Sequence, residues 1–249
     1  MAAVFSQMKE PVCLLGGWAV YLTVNPKFNK TNGRNYLGSR DIDLGFHIDP
    51  NWSSMELEKS ALAQSIKILK SRGFNGLGSR FVKYYDINTK KELSDAESRK
   101  KPSYEMFQLY VDPMVDNIHA AAQKIVGFPL LDEPLLSHVF VGQKFTSLSE
   151  FGGKFRLPMP EILIATKLKS VPSRNKDDKR IKDISDIYAL LWYSDDEFSE
   201  LKQKVQQILG IPAISDVVSK FTQDEYSVVS IAIGIGPTEI SRVITDLAH

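Results

Sequence analysis

The chain has 249 residues, of which 31 are lysine or arginine and 30 are aspartate or glutamate, so its formal net charge is +1. A charge this close to zero excludes a protein whose whole surface attracts nucleic acid or anionic membrane, and any polyanion must bind a local cluster. A composition of 43% hydrophobic and 24% charged residues is that of a globular protein with a real core, in one large domain or two small ones.

The single cysteine bears on the compartment of the protein. One cysteine cannot form an internal disulfide framework, which fits a reducing compartment. Because Cys13 lies inside an apolar run, it is expected to be a small core residue. The N-terminus carries Lys9 and Glu10 before any long apolar stretch, a pattern unlike a signal peptide. The longest apolar segment, 228–236, is too short to cross a bilayer. We therefore expect a cytoplasmic protein without a membrane partner.

Strands and helices alternate in the first half of the predicted structure. The apolar run Val12–Leu15 predicts a strand, which ends in Gly16-Gly17, and Trp18–Val24 predicts a helix. The segment Asn25–Asn35 is rich in asparagine, lysine and glycine and begins with Asn-Pro, so it is expected to be a loop.

In the rest of the first half, the sequence pattern predicts three more strands and one long helix. Tyr36–Ile48 is expected to contain a strand, and Ser53 or Ser54 is expected to cap a helix that runs to about Ser71. Further strands are predicted over Phe81–Ile87 and Tyr104–Asp112.

The second half is predicted to be helical. Pro160 suits the first turn of a helix, which should run to Lys169, and Asp177 or Asp178 can cap the next one. We therefore predict an α+β protein, with a mixed sheet and flanking helices in a catalytic domain at 1–150 and an α-helical domain at 151–249.

Two carboxylates stand one residue apart within Gly38-Ser39-Arg40-Asp41-Ile42-Asp43-Leu44. On a strand Asp41 and Asp43 point the same way, roughly 6.5–7 Å apart. Such a pair is costly unless a positive charge lies between them, and Mg²⁺ or Mn²⁺ with oxygen ligands provides one. Gly16-Gly17, which lacks side chains at the start of a helix, lets backbone N–H groups approach an anion. A strand, a diglycine, a helix and then a strand with two aspartates, in this order, predict a site that binds phosphate and metal.

A third carboxylate is expected from a neighbouring strand. Asp112 ends the run 107–111 and is the best candidate, because strand geometry can place it beside Asp41. It would bind the catalytic ion with Asp41 and Asp43 and accept the proton of an attacking hydroxyl. Two alternatives stay open: Asp112-Pro113 simply begins a turn, or Asp116 is the third carboxylate.

The stretches Gly16-Gly17-Trp18-Ala19-Val20 and Ser39-Arg40-Asp41-Ile42-Asp43-Leu44 resemble the DNA polymerase β-type nucleotidyltransferase superfamily, which usually has Gly-Ser where this chain has Gly-Gly. Within it the chain resembles the AbiEii-like group, many of whose members are toxins of toxin–antitoxin pairs. That group carries a later signature of a lysine, an arginine and an aspartate pair. The residues in matching order here are Lys167, Arg174, Asp183 and Asp186.

The resemblance implies transfer of a nucleoside monophosphate from an NTP to an acceptor, most plausibly RNA such as tRNA, with a cognate antitoxin as partner. It implies nucleotide-binding roles for the residues Gly16, Gly17, Ser39, Arg40, Lys167, Arg174, Asp183 and Asp186. Read without it, Lys167 and Arg174 are candidate phosphate ligands. The alternative is that the i,i+4 pairs Lys179–Asp183 and Lys182–Asp186 are surface salt bridges. The alternatives in function are a nucleotidyltransferase for a small molecule or antibiotic, and a nucleotide-binding regulator without turnover.

Overall fold

The computed structural model describes residues 2–149, 152–174 and 177–249. The chain forms two compact units: unit 1 comprises Met1–Leu15 and Ser39–Leu157, and unit 2 comprises Gly16–Gly38 and Pro158–His249. The division predicted at 150/151 falls on residues outside the described ranges and stays a prediction about functional domains. The compact units differ from it chiefly at 16–38, which group with the C-terminal helices.

Unit 1 is built on a mixed sheet with the strand order β3-β4-β6-β2-β1-β9-β8, to which β5 and β7 add at β4 and β6. β2 runs parallel to β6 and antiparallel to β1, while β4 runs antiparallel to β6. The strands are β1 Cys13–Leu15, β2 Asp41–Phe46, β3 Asn75–Leu77, β4 Arg80–Asp86, β5 Glu92–Leu93, β6 Met106–Val115, β7 Leu131–Asp132, β8 Phe145–Leu148 and β9 Phe155–Pro158.

Thirteen helices accompany the sheet within the described ranges. Those of the first half are α1 Ala2–Phe5, α2 Gly16–Asn32, α3 Ser54–Lys59, α4 Ala61–Ser71, α5 Asp95–Ser98, α6 Ala120–Val126 and α7 Leu136–Phe140. Those of the second half are α8 Pro160–Ser170, α9 Asp177–Tyr193, α10 Phe198–Leu209, α11 Ile211–Val218, α12 Gln223–Ile233 and α13 Pro237–Asp246. The predicted α+β class is confirmed.

Strand β6 continues beyond the predicted end at Asp112. A proline inside a strand removes one ladder donor, yet Pro113 is paired with Leu44 of β2. The β4 ladder ends at Val111, so no β4 residue needs the missing N–H of Pro113. The turn that Asp-Pro could have begun does not form, and Asp112 lies well inside the strand.

The helix predicted from Ser53 or Ser54 to Ser71 is two helices. Ser53 caps α3 in a capping box with Glu56, as the sequence indicated. Ser60 is extended, with ψ 159°, and its hydroxyl accepts the N–H of Ala63 at 3.2 Å. Because a serine side chain at this position satisfies a free N–H, it starts a new helix, α4.

The loop predicted over Asn25–Asn35 is wrong for most of its length, because α2 continues through Pro26 to Asn32. Pro26 removes one helical hydrogen bond. The cost is offset by packing of α2 on α9 within unit 2. Asn25 contributes as well, since its side-chain oxygen accepts the N–H of Tyr36 at 2.7 Å and ties the following segment to the helix.

Helix α9 is the centre of unit 2. Its side chains Ile184, Ile187 and Tyr188 are fully buried, and α2, α8, α10, α12 and α13 all pack against it. The start predicted at Pro160 for α8 is confirmed. Asp177 and Asp178 lie in the first turn of α9, and their predicted capping role stays a prediction. In the part of the chain that the structure describes, no single helix is both long enough and apolar enough to cross a membrane.

Candidate functional site

Two neighbouring strands of unit 1 bring three carboxylates to one face of the sheet. The parallel register of β2 and β6 places Asp43 opposite Asp112 and Asp41 opposite Tyr110. Residues opposite one another in a ladder share a face, and Asp41 lies on the same face as Asp43 because they are two apart on β2. Asp41, Asp43 and Asp112 are called the carboxylate cluster below. Asp112 therefore has Asp43, not Asp41, as its direct cross-strand neighbour.

Arg80 joins the carboxylate cluster, although nothing in the sequence singled it out. It is the first residue of β4, and its Nη2 lies 2.6 Å from Asp112 Oδ2 and 3.9 Å from Asp41 Oδ2. The guanidinium carbon also lies 4.6 Å from the centre of the Tyr110 ring, a cation–π distance. The antiparallel pairing of β4 with β6 produces this contact, so only the register of the sheet could have revealed it.

The environment of Asp112 favours its protonated form. The side chain is only 5% exposed, and its Oδ1 has no hydrogen-bond partner among the described residues. Burial and the charge of Asp43 raise the pKa of Asp112 to about 7, with a smaller contribution from Asp41, while Arg80 opposes the rise. A carboxylate with a pKa near neutrality is suited to accept and release a proton at physiological pH.

Asp116, the competing third carboxylate, has a different place. It follows the last residue of β6, and its side chain is fully buried. Its Oδ1 accepts the N–H of Ile48 at 2.8 Å, and its Oδ2 is paired with Nδ1 of His47. These contacts tie the end of β2 to the end of β6, so Asp116 has a structural role and lies outside the carboxylate cluster.

A divalent ion fits the carboxylate cluster by chemistry. Within the described ranges, no three His, Cys, Asp or Glu side chains have a ready geometry for a metal ion. Arg80 brings a positive charge to Asp41 and Asp112. Three carboxylates in one place are nonetheless the donor set that Mg²⁺ or Mn²⁺ prefers, and the unpartnered Asp112 Oδ1 is a buried acceptor that such an ion can satisfy.

The other predicted residues near the Asp-x-Asp strand have simpler surroundings. Ser39 donates its hydroxyl hydrogen to the backbone oxygen of Asp41 at 3.1 Å, and Arg40 is exposed. Gly16 and Gly17 begin α2 in unit 2. Gly16 has a φ of 60°, a left-handed conformation that only glycine adopts without strain. Their predicted contact with phosphate stays a prediction.

The four residues of the later signature meet in unit 2. Lys167 Nζ lies 2.6 Å from Asp183 Oδ1 and 2.8 Å from Asp186 Oδ2, and Arg174 Nε lies 2.6 Å from Asp183 Oδ2. Lys182 pairs with Asp186, so the predicted i,i+4 bridge forms, although Asp186 is buried and not at the surface. These five residues are called the buried ion cluster.

Hydroxyl groups complete the buried ion cluster. Tyr36 donates to Asp186 Oδ1 at 2.9 Å, and Ser170 donates to Asp183 Oδ2 at 3.0 Å. Burial opposes the charged form of Lys167, but Asp186 and Asp183 outweigh it and raise the pKa of this lysine. Burial likewise opposes ionisation of Asp183, and Lys167 with Arg174 keeps the pKa of that carboxyl below its ordinary value.

Replacing Lys167 by alanine is expected to destabilise the protein by about 3–5 kcal/mol, because Asp183 and Asp186 would stay buried with less positive charge beside them. Thermal and urea unfolding of the variant measure the loss. Lys169→Ala is the matched control, since it removes the same charge from an exposed position of α8. Equal stabilities of the two variants would contradict a structural role for the buried ion cluster.

Comparisons with known proteins give distant structural similarity. No protein-family model matches the chain, and no curated protein matches it. The chain is similar to the crystal structure of an antigenic nucleotidyltransferase-like protein from Paracoccidioides brasiliensis, at 19% sequence identity and a TM-score of 0.42, over 90% of this chain and 84% of that chain. At this distance the similarity establishes neither a shared fold nor a shared activity.

Proposed function

We propose that this chain is a metal-dependent nucleotidyltransferase, which moves a nucleoside monophosphate from an NTP to a hydroxyl of an acceptor. The observation that carries the proposal is the parallel register that sets Asp112 opposite Asp43, with Asp41 on the same face of the sheet. In the reaction a bond forms between the acceptor oxygen and the α-phosphorus. The bond from the α-phosphorus to the bridging oxygen breaks, and pyrophosphate leaves with its electron pair.

Asp41, Asp43 and Asp112 are the residues that would hold Mg²⁺ or Mn²⁺. Held by these carboxylates, the ions would contact the triphosphate and offset the charge of the departing pyrophosphate. Asp112 has a second role, as the base for the acceptor hydroxyl. In the metal-free protein its Oδ2 accepts a hydrogen bond from Arg80 and its Oδ1 has no hydrogen-bond partner among the described residues, so one oxygen can bind the ion and the other can take the proton.

The nucleotide-binding roles of the remaining residues belong to the same proposal. Gly16, Gly17, Ser39 and Arg40 would contact the phosphates. In the buried ion cluster Lys167 is engaged by two aspartates, but Arg174 meets Asp183 through Nε and its side chain is 34% exposed. Arg174 is therefore the member best suited to bind a phosphate, with Asp183 holding its side chain in place.

The finer assignment follows the resemblance to the AbiEii-like group. On that basis the acceptor is RNA such as tRNA, and the partner is a cognate antitoxin protein. A small-molecule acceptor would use the same carboxylate chemistry, and a regulator without turnover would bind NTP but release no pyrophosphate.

The test is incubation of the protein with each of four α-labelled NTPs, Mg²⁺ and total RNA, followed by separation of the labelled species. Label in RNA that is lost on ribonuclease treatment supports an RNA acceptor, while label in a small organic fraction supports the alternative. Asp43→Asn and EDTA serve as controls that should remove the signal. The absence of both label transfer and pyrophosphate release with every NTP would contradict the proposal.

A further inference from the structure

Arg80 occupies the space between carboxylates of two strands. It reaches Asp112 Oδ2 at 2.6 Å and lies 3.9 Å from Asp41 Oδ2, from a side chain that is 27% exposed. Its guanidinium also rests on the ring of Tyr110, which is the cross-strand neighbour of Asp41. Three contacts thus hold a single cation in the middle of the carboxylate cluster.

Arg80 is in ion-pair contact with carboxylates of both strands, with Asp41 of β2 and with Asp112 of β6. A divalent ion held by the same carboxylates would share Asp112 and Asp41 with Arg80. An oxygen that accepts an N–H at 2.6 Å is less available to a metal, and two cations repel strongly at the distance of neighbouring ligands.

We propose that Arg80 is an internal counter-ion of the carboxylate cluster, which competes with the divalent ion for Asp112 and Asp41 and is displaced when the ion binds. This inference rests on the proposed function, because it takes the carboxylate cluster to be the metal site. Arg80 is a positioning residue in the metal-free protein, since it holds two carboxylates of different strands together against their mutual repulsion. The Tyr110 ring is a second contact that the displaced guanidinium can retain.

The test compares Mn²⁺ binding by calorimetry in the wild type, Arg80→Gln and Arg80→Lys. Arg80→Gln keeps a side chain that can donate to Asp112 but removes the competing charge, so it should bind Mn²⁺ about tenfold more tightly or better. Arg80→Lys keeps the charge and should stay near the wild-type affinity. Arg99→Gln, which removes an exposed arginine of the same unit, is the control for net charge.

Thermal unfolding gives a second measurement on the same variants. Without metal, Arg80→Gln should unfold at a lower temperature than the wild type. Added Mn²⁺ should raise the unfolding temperature of Arg80→Gln by more than it raises that of the wild type. If Arg80→Gln does not fold, the wild type still decides: on addition of Mg²⁺ the guanidinium signals of Arg80, assigned by their loss in Arg80→Lys, should shift in NMR spectra. Unchanged signals at saturating Mg²⁺ would overturn the inference.

The outcomes separate the two proposals. If Arg80→Gln binds Mn²⁺ no more tightly than the wild type while Asp43→Asn abolishes binding, the metal site stands and the role of Arg80 is refuted. If neither the wild type nor Arg80→Gln binds Mn²⁺ at millimolar concentrations, the metal site fails, and the role of Arg80 fails with it.

Discussion

Asp41→Asn and Asp43→Asn are each expected to abolish nucleotidyl transfer while leaving the fold intact. Both side chains lie on the face of β2 that carries the carboxylate cluster, and an amide is a poor ligand for a divalent ion that also needs charge neutralisation. Each change removes one of three mutually repelling charges, so the unfolding temperature of the metal-free protein should stay level or rise. Transfer of labelled nucleotide and thermal unfolding measure the two effects.

The control is Asp132→Asn, which removes an exposed carboxylate from β7 of the same sheet. It should retain full transfer activity. Full activity in Asp41→Asn or Asp43→Asn would refute the assignment of the metal ligands.

Asp112→Asn is expected to lower the rate of transfer by about 10²–10⁴-fold, the usual contribution of a general base, or by more because the ion is also disturbed. NTP affinity should fall far less, since Asp41 and Asp43 still face the triphosphate. Without metal, burial and the charge of Asp43 raise the pKa of Asp112 to about 7, so this carboxyl can exchange a proton near neutral pH. Separate measurements of NTP binding and single-turnover rate distinguish the two effects.

Asp116→Asn is the companion variant, and the structure changes what it should do. Because Asp116 is buried and bonded to His47 and Ile48, its loss should cost about 1.5–3 kcal/mol of stability. The folded fraction should keep its transfer rate. A catalytic defect in Asp116→Asn with none in Asp112→Asn would require the third carboxylate to be reassigned.

The local elements of the site could be predicted from the sequence. The sequence predicts both the Asp-x-Asp strand and the strand that carries Asp112, because short apolar runs and the alternation of apolar with polar residues indicate strands locally. The pairing of Asp112 with Asp43 could not be predicted, since register depends on how distant strands meet. The contacts of Arg80 could not be predicted for the same reason: its partners lie on two other strands, and an isolated arginine at the start of a strand has no sequence pattern.

The errors in helix prediction also have tertiary causes. Asn25-Pro26 has a strong local preference for a turn, but packing on α9 carries α2 through it.

Lys167 and Arg174 are each paired with a buried aspartate. Their predicted role as phosphate ligands stays a prediction. Residue types and spacing do not reveal whether a cation has an internal partner, because that depends on burial.

The parallel ladder between β2 and β6 has a consequence for how the protein acquires its activity. About 60 residues separate the two strands, and a long loop must close before they can pair, at an entropic cost that local structure does not repay. A nascent or truncated chain that ends before β6 already contains the Asp-x-Asp motif but lacks the residue that completes it. Under the proposed function, catalytic competence should appear only after β2 and β6 have paired, so a chain that ends before β6 should be inert.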